Sequence, residues 1–232
     1  MSVIYLIRHG QASFGQADYD RLSELGQRQA RLTGEHLASL GVRLDAAYCG
    51  GQARQVDTAA HALAALPQAP ELIREPGFDE YDSGAIIAAL LPAMQAERPE
   101  LARLAAGMHA DRRAFQMVYE GAMRRWIEDR HPLEGVETWP RFQERARQAL
   151  DRVRSENGRG RTVAVFTSGG PISAVMRLAL DLDDAVALRL TWVIKNASVS
   201  AFFYDESRLT LTLFNSTAHL ELTGEPGLIT YR

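Results

Sequence analysis

The residue types that could do chemistry stand at a few places in this 232-residue chain. Arg8-His9-Gly10-Gln11 follows the apolar run Val3-Ile4-Tyr5-Leu6-Ile7. Charge at the end of a buried strand is costly unless something pairs it. In open α/β sheets the ligand crevice lies at the carboxyl ends of the strands. Arg8 and His9 are therefore expected to face an anion in a cleft, with Gly10 letting the backbone turn and come close to it. Arg54 falls in the first turn of a predicted helix, where a cation opposes the helix dipole. A bound anion there would reverse the sign of that argument; the plain alternative is an exposed arginine paired with Asp57. Phe78-Asp79-Glu80-Tyr81-Asp82-Ser83-Gly84 brings three acids close together, which the residues alone leave open as a solvated loop. Thr167-Ser168-Gly169-Gly170-Pro171 combines small residues with a proline at a helix start, a natural anion seat.

Elements must hold these groups. Val3 to Ile7 reads as a strand buried on both faces. A polar loop, Ala12 to Arg21, leads to a helix ending near Leu40. Ser23 can cap it, Glu24 suits its positive end, and Gly41 stops it. His36 lies beside its leucine stripe and reads as a packing residue. Leu44 to Tyr48 is the second strand, and Cys49-Gly50-Gly51 turns into a helix from Gln52 to about Leu66. Leu72 to Arg74 is a short strand. Residues from about 85 to 135 read as helical and inserted between strands. There, Ile86 to Met94 is apolar and broken by Pro92, and a second helix runs from about Ala110 to Arg130. Phe115, Tyr119, Ala122 and Trp126 share one of its faces, and Arg112, Arg113, Arg124 and Arg125 the other. A helix to about Arg154, a buried strand Thr162 to Phe166 and a helix to about Leu180 follow. Ser198 to Tyr204 and Leu209 to Phe214 alternate around Asp205-Glu206-Ser207 as a β-hairpin.

A net charge of −3 gives no basic bias toward nucleic acid or anionic lipid. The single cysteine, Cys49, allows no intrachain disulfide, which is compatible with a cytoplasmic location. No apolar run approaches the roughly 20 residues of a membrane span, and none reads as a signal peptide. Neither a Walker nor a dinucleotide fingerprint is present.

An apolar N-terminal strand followed by Arg-His-Gly resembles the histidine phosphatase superfamily, also called phosphoglycerate mutase-like. Tyr48 to Ala59 resembles that family's second arginine motif, in which Arg is typically followed by Ala-x-Gln-Thr-Ala. Arg54, Thr58 and Ala59 match in register; Gly50, Gly51, Gln52 and Asp57 depart. Glu80 and Gly84 fit the spacing of the family's proton donor. Asn215 to Leu220 resembles a tail of many relatives. The resemblance implies a three-layer α/β/α sandwich forming a single domain over residues 1–232, with a helical cap insertion at about 85–135 that covers the site. The basic helix face is then either solvated or a rim that steers phosphorylated substrates.

The resemblance also assigns roles. His9 would be the nucleophile and form a phosphohistidine. Arg8 and Arg54 would hold the phosphoryl oxygens in arginine's forked geometry. Glu80 would protonate the leaving alcohol and later take a proton from the attacking water. That needs partial protonation near neutral pH, which burial beside other acids could provide. No metal or other cofactor is implied, and the partner is a small phosphorylated substrate.

One letter departs sharply. Ser168 stands where the family usually has a second histidine in Ser-His-Gly-Gly. Serine donates one hydrogen bond and brings no cationic charge. Losing a comparable donor costs on the order of 10²–10³ in rate. Ser168 and Gly169 are then phosphate-binding residues, and His219 is the imidazole that could substitute in space. Gln11, in place of the frequent Glu or Thr, is a further accessory candidate. Phe14-Gly15 occupies the position of a Trp-Asn pair of many relatives. Ser168 itself lacks the glycine two residues earlier that a nucleophile elbow needs. The expected function is a metal-independent phosphatase acting through phospho-His9, with reduced activity. A non-catalytic phosphate-ligand binding protein is the alternative, and a phosphoglycerate mutase the weaker one. Ser168→His is expected to raise turnover if the pocket otherwise keeps the family's geometry.

Overall fold

The apolar N-terminal run forms β1 (Ser2–Arg8), so Arg8 closes the strand and His9 is the first residue beyond it. In the computed structural model, which describes residues 1–13, 20–101, 112–128 and 133–231, β1 lies between two strands distant in sequence. On one side it pairs in parallel with β4 (Thr162–Thr167), with Arg8 opposite Thr167. On the other it pairs antiparallel with β5 (Val199–Tyr204). β2 (Ala46–Cys49), β3 (Leu72–Arg74) and β6 (Leu209–Ser216) complete the sheet in the order β3-β2-β4-β1-β5-β6. β5 and β6 form the expected antiparallel hairpin.

Both faces of the sheet are covered, which is why the central strands are continuously apolar rather than alternating. On one face Ile4, Leu6, Val163 and Val165 meet α5 (Trp139–Asn157) through Leu150 and Val153, and α6 (Gly169–Leu180) through Ile172 and Val175. On the other, Ile7, Ala47, Ala164 and Phe166 meet α1 (Glu24–Ser39) through Leu37, and α2 (Ala53–Leu63) through Ala59 and Leu63. Each fully buried Ile, Leu, Val or Phe among them contributes about 1.5–3 kcal/mol. The architecture is α/β, with helices on both sides of a mixed sheet.

The chain divides into two compact units: Met1–Glu80 with Arg145–Arg232, and Tyr81–Glu144. The second contains α3 (Ser83–Glu97) and α4 (Arg112–Glu128). Pro92 does not break α3, contrary to expectation: the helix runs across it. The missing N–H removes one bond of the ladder, and burial of Ile86, Ile87, Leu90 and Met94 holds the helix together across it. On α4 the buried face is Ala114, Val118, Ala122 and Trp126, and Phe115 stacks on Tyr119 at its half-buried edge. Trp126 contacts the rings of Tyr81, Trp139 and Phe142. Of the expected basic face, Arg113 and Arg124 are exposed, while Arg125 pairs with Glu97. The Arg112 side chain, Ala110, Arg130 and Phe14-Gly15 lie outside the described residues.

Two further helices, α7 (Asp184–Val193) and α8 (Ala218–Glu221), were not anticipated from the pattern of apolar residues. Asp183 caps α7 by accepting from Val186 N–H at 2.7 Å, the signal that marks its start. No helix among the described residues is long and apolar enough to cross a membrane.

Candidate active site

The parallel strands β1 and β4 end side by side, and their carboxyl ends carry Arg8-His9 and Thr167-Ser168. The backbone N–H of His9 donates to Thr167 O at 2.8 Å, which carries the pairing one residue past the strand. His9 O accepts from Ala197 N at 3.1 Å and from Asn196 Nδ2 at 3.2 Å. The side chain is 6% exposed. Its Nδ1 lies 2.7 Å from Gly10 O. A carbonyl only accepts, so Nδ1 carries the proton and Nε2 keeps its lone pair. Burial holds the imidazole well below its ordinary pKa, reinforced by Arg8 and Arg54, while the Gly10 bond pulls the other way. His9 is thus a neutral imidazole at neutral pH with a defined tautomer.

Gly10 has to be glycine because the turn runs against α1: a Cβ there would stand 2.3 Å from Gly26 O. Its N–H donates to Thr58 Oγ1 at 3.0 Å, and Thr58 Oγ1 donates to Arg54 O at 2.6 Å. Through Thr58 the turn after His9 is tied to the helix that carries Arg54.

Arg54 is buried, and the exposed pair with Asp57 left open by the sequence is not what forms. Its Nη1 pairs with Asp20 Oδ1 at 2.6 Å, its Nη2 donates to Gln52 Oε1 at 2.9 Å, and its Nε donates to His9 Nε2 at 3.3 Å. Asp20 Oδ2 also accepts from Ala53 N–H at 2.7 Å, at the first residue of α2. An anion therefore does stand at this helix start, as the dipole argument requires, and it is a carboxylate from the loop after β1. Arg8 donates through Nη1 to Ile194 O and, at 3.0 Å, to Tyr231 O.

Glu80 follows a 3₁₀ turn, Pro76–Phe78, that Glu75 caps by accepting from Gly77 N–H at 2.9 Å. Arg145 Nη1 donates to Gly77 O at 2.9 Å and to Asp79 O at 3.0 Å, which fixes the backbone just before Glu80. Gln52 Oε1 accepts from Glu80 N–H at 3.2 Å. The carboxylate reaches α6, where Oε2 accepts from Gly170 N–H at 3.0 Å. Burial pushes the carboxyl of the neighbouring Asp79 up, with the Gly51 N–H acting against that.

Ser168 is the N-cap residue of α6, in extended backbone, yet its side chain makes no capping bond. Its Oγ instead accepts from Gln55 Nε2 at 2.8 Å, and both residues are fully buried. Gly169 opens the helix, and a Cβ there would lie 4.0 Å from Arg8 Nε. The structure thus brings Arg8, His9, Arg54, Glu80, Ser168 and Gly169 to one end of the sheet.

Two expected accessory residues are placed elsewhere. His219 on α8 shares a 3.0 Å hydrogen bond with Thr33 Oγ1 and stacks on His36, with ring centroids 5.5 Å apart. It packs on α1 and is not joined to His9. Gln11 braces the start of α1: its Oε1 accepts from Ser23 Oγ at 2.9 Å, and its N–H donates to Gln29 Oε1 at 2.8 Å. Asp20, Gln52, Gln55, Thr58 and Asn196 hold the site residues and were missed as contributors. Only Gln52 and Thr58 carried a signal, through their place around Arg54. Among the described residues no group of three or more His, Cys, Asp or Glu is placed to hold a metal ion.

The chain belongs to the histidine phosphatase superfamily, branch 1: the family's model matches residues 4–117 and 85–217. It is similar to a bifunctional protein of Mycobacterium tuberculosis, 30% identical over 94% of this chain and 54% of that protein. The chain thus spans about half the length of the curated relatives it matches. The fold is that of the phosphoglycerate mutase of Bacillus anthracis, with a TM-score of 0.67 and 20% identity over 97% of each chain. It is similarly close to a phosphoserine phosphatase of Entamoeba histolytica, with a TM-score of 0.64 and 18% identity over 95% of this chain and 100% of that one. A mycobacterial glucosyl-3-phosphoglycerate phosphatase aligns with a TM-score of 0.63 and 22% identity over 94% of this chain and 98% of that one.

Proposed function

We propose that this protein hydrolyses a small phosphate monoester through a phosphohistidine at His9. The observation that carries the proposal is the state of His9: Nδ1 is held by Gly10 O, so the lone pair of a neutral imidazole sits on Nε2 beside Arg54. Nε2 attacks phosphorus, an N–P bond forms, and the bond from phosphorus to the ester oxygen breaks. Glu80 supplies the proton that the departing alkoxide takes up. Water then attacks the phosphohistidine, Glu80 takes a proton from it, and inorganic phosphate and neutral His9 are regenerated. Arg8 and Arg54 spread positive charge over the phosphoryl oxygens, and the N-terminus of α6 adds its dipole. The substrates in the names of structurally similar proteins, phosphoserine and glucosyl-3-phosphoglycerate, are small monoesters of the class this site would take.

Ser168 favours a second reading, a protein that binds a phosphorylated ligand without turning it over, because no second imidazole stands at its position. The two readings separate in a trapping experiment. Incubation with a ³²P-labelled aryl phosphate and quenching in base, where the N–P bond survives, should leave label on the wild-type chain and none on His9→Ala. Tight phosphate binding with no trapped label would select the binding protein.

A further inference from the structure

Gln55 plays no part in the phosphate chemistry above, yet it is fully buried next to Ser168. It follows Arg54 on α2, and its Nε2 spans two other segments, 3.1 Å from Phe78 O and 2.8 Å from Ser168 Oγ. A carbonyl only accepts, so the contact with Phe78 identifies that end of the amide as the NH₂ group. One of its protons goes to Phe78 and the other to Ser168, whose oxygen is therefore the acceptor. A hydroxyl carries a single proton, and with Gln55 donating to the oxygen that proton is directed to another acceptor. Ser168 is the N-cap of α6, beside the helix end where Glu80 and Arg8 converge.

The local packing is built around this pair. Phe78 O also accepts from Thr167 Oγ1 at 2.7 Å, so the end of β4, Gln55 and the segment leading to Glu80 meet at one oxygen. A Cβ on Gly50 would stand 2.0 Å from Gln55 Oε1 and 2.6 Å from Asp79 Oδ1, so glycine leaves the room that the glutamine fills. Gln55 Oε1 is buried and has no hydrogen-bond partner among the described residues. A side chain needed only for packing, such as leucine, would avoid that cost.

We propose that Gln55 is a positioning residue that sets the polarity of Ser168: by holding Oγ as an acceptor, it presents the serine proton to an oxygen of the bound phosphoryl group. Gln55, Ser168 and Gly50 then act as one unit, a neutral donor system at the phosphate end of the sheet. The inference rests on the reading that this site takes a phosphoryl group.

The test is a double-mutant cycle. Gln55→Glu replaces the donor with an acceptor of the same size, so Ser168 would turn its proton toward residue 55. Gln55→Leu removes both polar atoms at similar volume and buries no charge, which keeps the test open if the glutamate variant does not fold. The readouts are kcat and KM for an aryl phosphate, and the Kd of inorganic phosphate by titration calorimetry, in wild type, Gln55→Leu, Gln55→Glu, Ser168→Ala and the double variants. A hydrogen bond to a charged oxygen predicts a loss of roughly 10- to 100-fold in kcat for each single variant. In the Ser168→Ala background, replacing Gln55 should cost nothing further. Losses that multiply, or a Gln55→Leu enzyme with wild-type kcat, would overturn the proposal. If the wild type binds phosphate without turnover, the enzyme reading fails, and the same non-additivity in Kd still supports the role of Gln55. Additive losses in Kd would overturn it.

Discussion

Arg54 Nε points at His9 Nε2 across 3.3 Å, while the other nitrogens of the guanidinium are held by Asp20 and Gln52. The arginine is therefore fixed from behind and presents an N–H at the atom that would attack phosphorus. Phosphoryl transfer relies on such prepaid orientation and charge more than on new covalent chemistry.

Replacing Arg54 by lysine keeps the charge and loses the fork. Lysine cannot hold Asp20, Gln52 and a phosphoryl oxygen in one plane. Arg54→Lys should lower kcat/KM for an aryl phosphate by about 10²-fold or more. Asp20→Asn, which keeps a hydrogen-bond acceptor but removes the ion pair, should cost less. Equal rates for Arg54→Lys and wild type would remove the arginine from the phosphate site.

Glu80 should matter in proportion to how much the leaving group needs a proton. Glu80→Gln is expected to slow alkyl phosphates more than aryl phosphates, because an aryl oxide leaves without full protonation. A comparison of p-nitrophenyl phosphate with a simple alkyl phosphate checks this, and equal losses would take the acid role away from Glu80.

The pH dependence of activity follows from His9. Its imidazole is held well below its ordinary pKa, so the reactive neutral form persists as pH falls through 6.5. The acid limb of kcat/KM, read against pH with an aryl phosphate, should lie below pH 6.5. A limb centred above it would mean that the imidazole is not shielded as the geometry indicates.

Stability should change with pH through His219. Burial, and then the neighbouring His36, lower its pKa to about 4. Between pH 6.5 and about 4 the unfolded chain binds this proton and the folded chain does not, so stability falls as pH falls. His219 alone accounts for about 3 kcal/mol over that window, and His9, lowered for similar reasons, acts with the same sign. Denaturant unfolding of wild type and His219→Gln at pH 7 and pH 4.5 should show a smaller loss in the variant.

Ser168→His alone should not raise turnover. An imidazole extending along the direction of Oγ would run into Gln55 Nε2, which stands 2.8 Å from that oxygen. Combining it with Gln55→Ala opens the space, and the double variant should exceed Ser168→His in kcat. A gain from Ser168→His by itself would show that the glutamine yields.

The central strands, the hairpin and the Arg8-His9 turn were legible because their signals are local: apolar runs, an alternating pair of segments, a cation at a strand end. The Ser23 cap was legible for the same reason, and Ser23 Oγ accepts from Gly26 N–H at 3.0 Å. What escaped was tertiary. Nothing near Asp20 in the chain says that it will meet Arg54, 34 residues on. Gln55 took its meaning from Ser168, 113 residues away. His219 carried the right residue type for the site, but its partner Thr33 lies on α1. Pro92 read as a break because the buried stripe that holds α3 together acts through packing, not through the backbone.

The central claim is that His9 is the nucleophile of a phosphatase. Hydrolysis of an aryl phosphate without added metal, wild type beside His9→Ala, tests it most directly. The account predicts measurable turnover by the wild type that falls to background in His9→Ala, with the variant still folded. Turnover that survives in His9→Ala, or a wild type no more active than the variant, would contradict it.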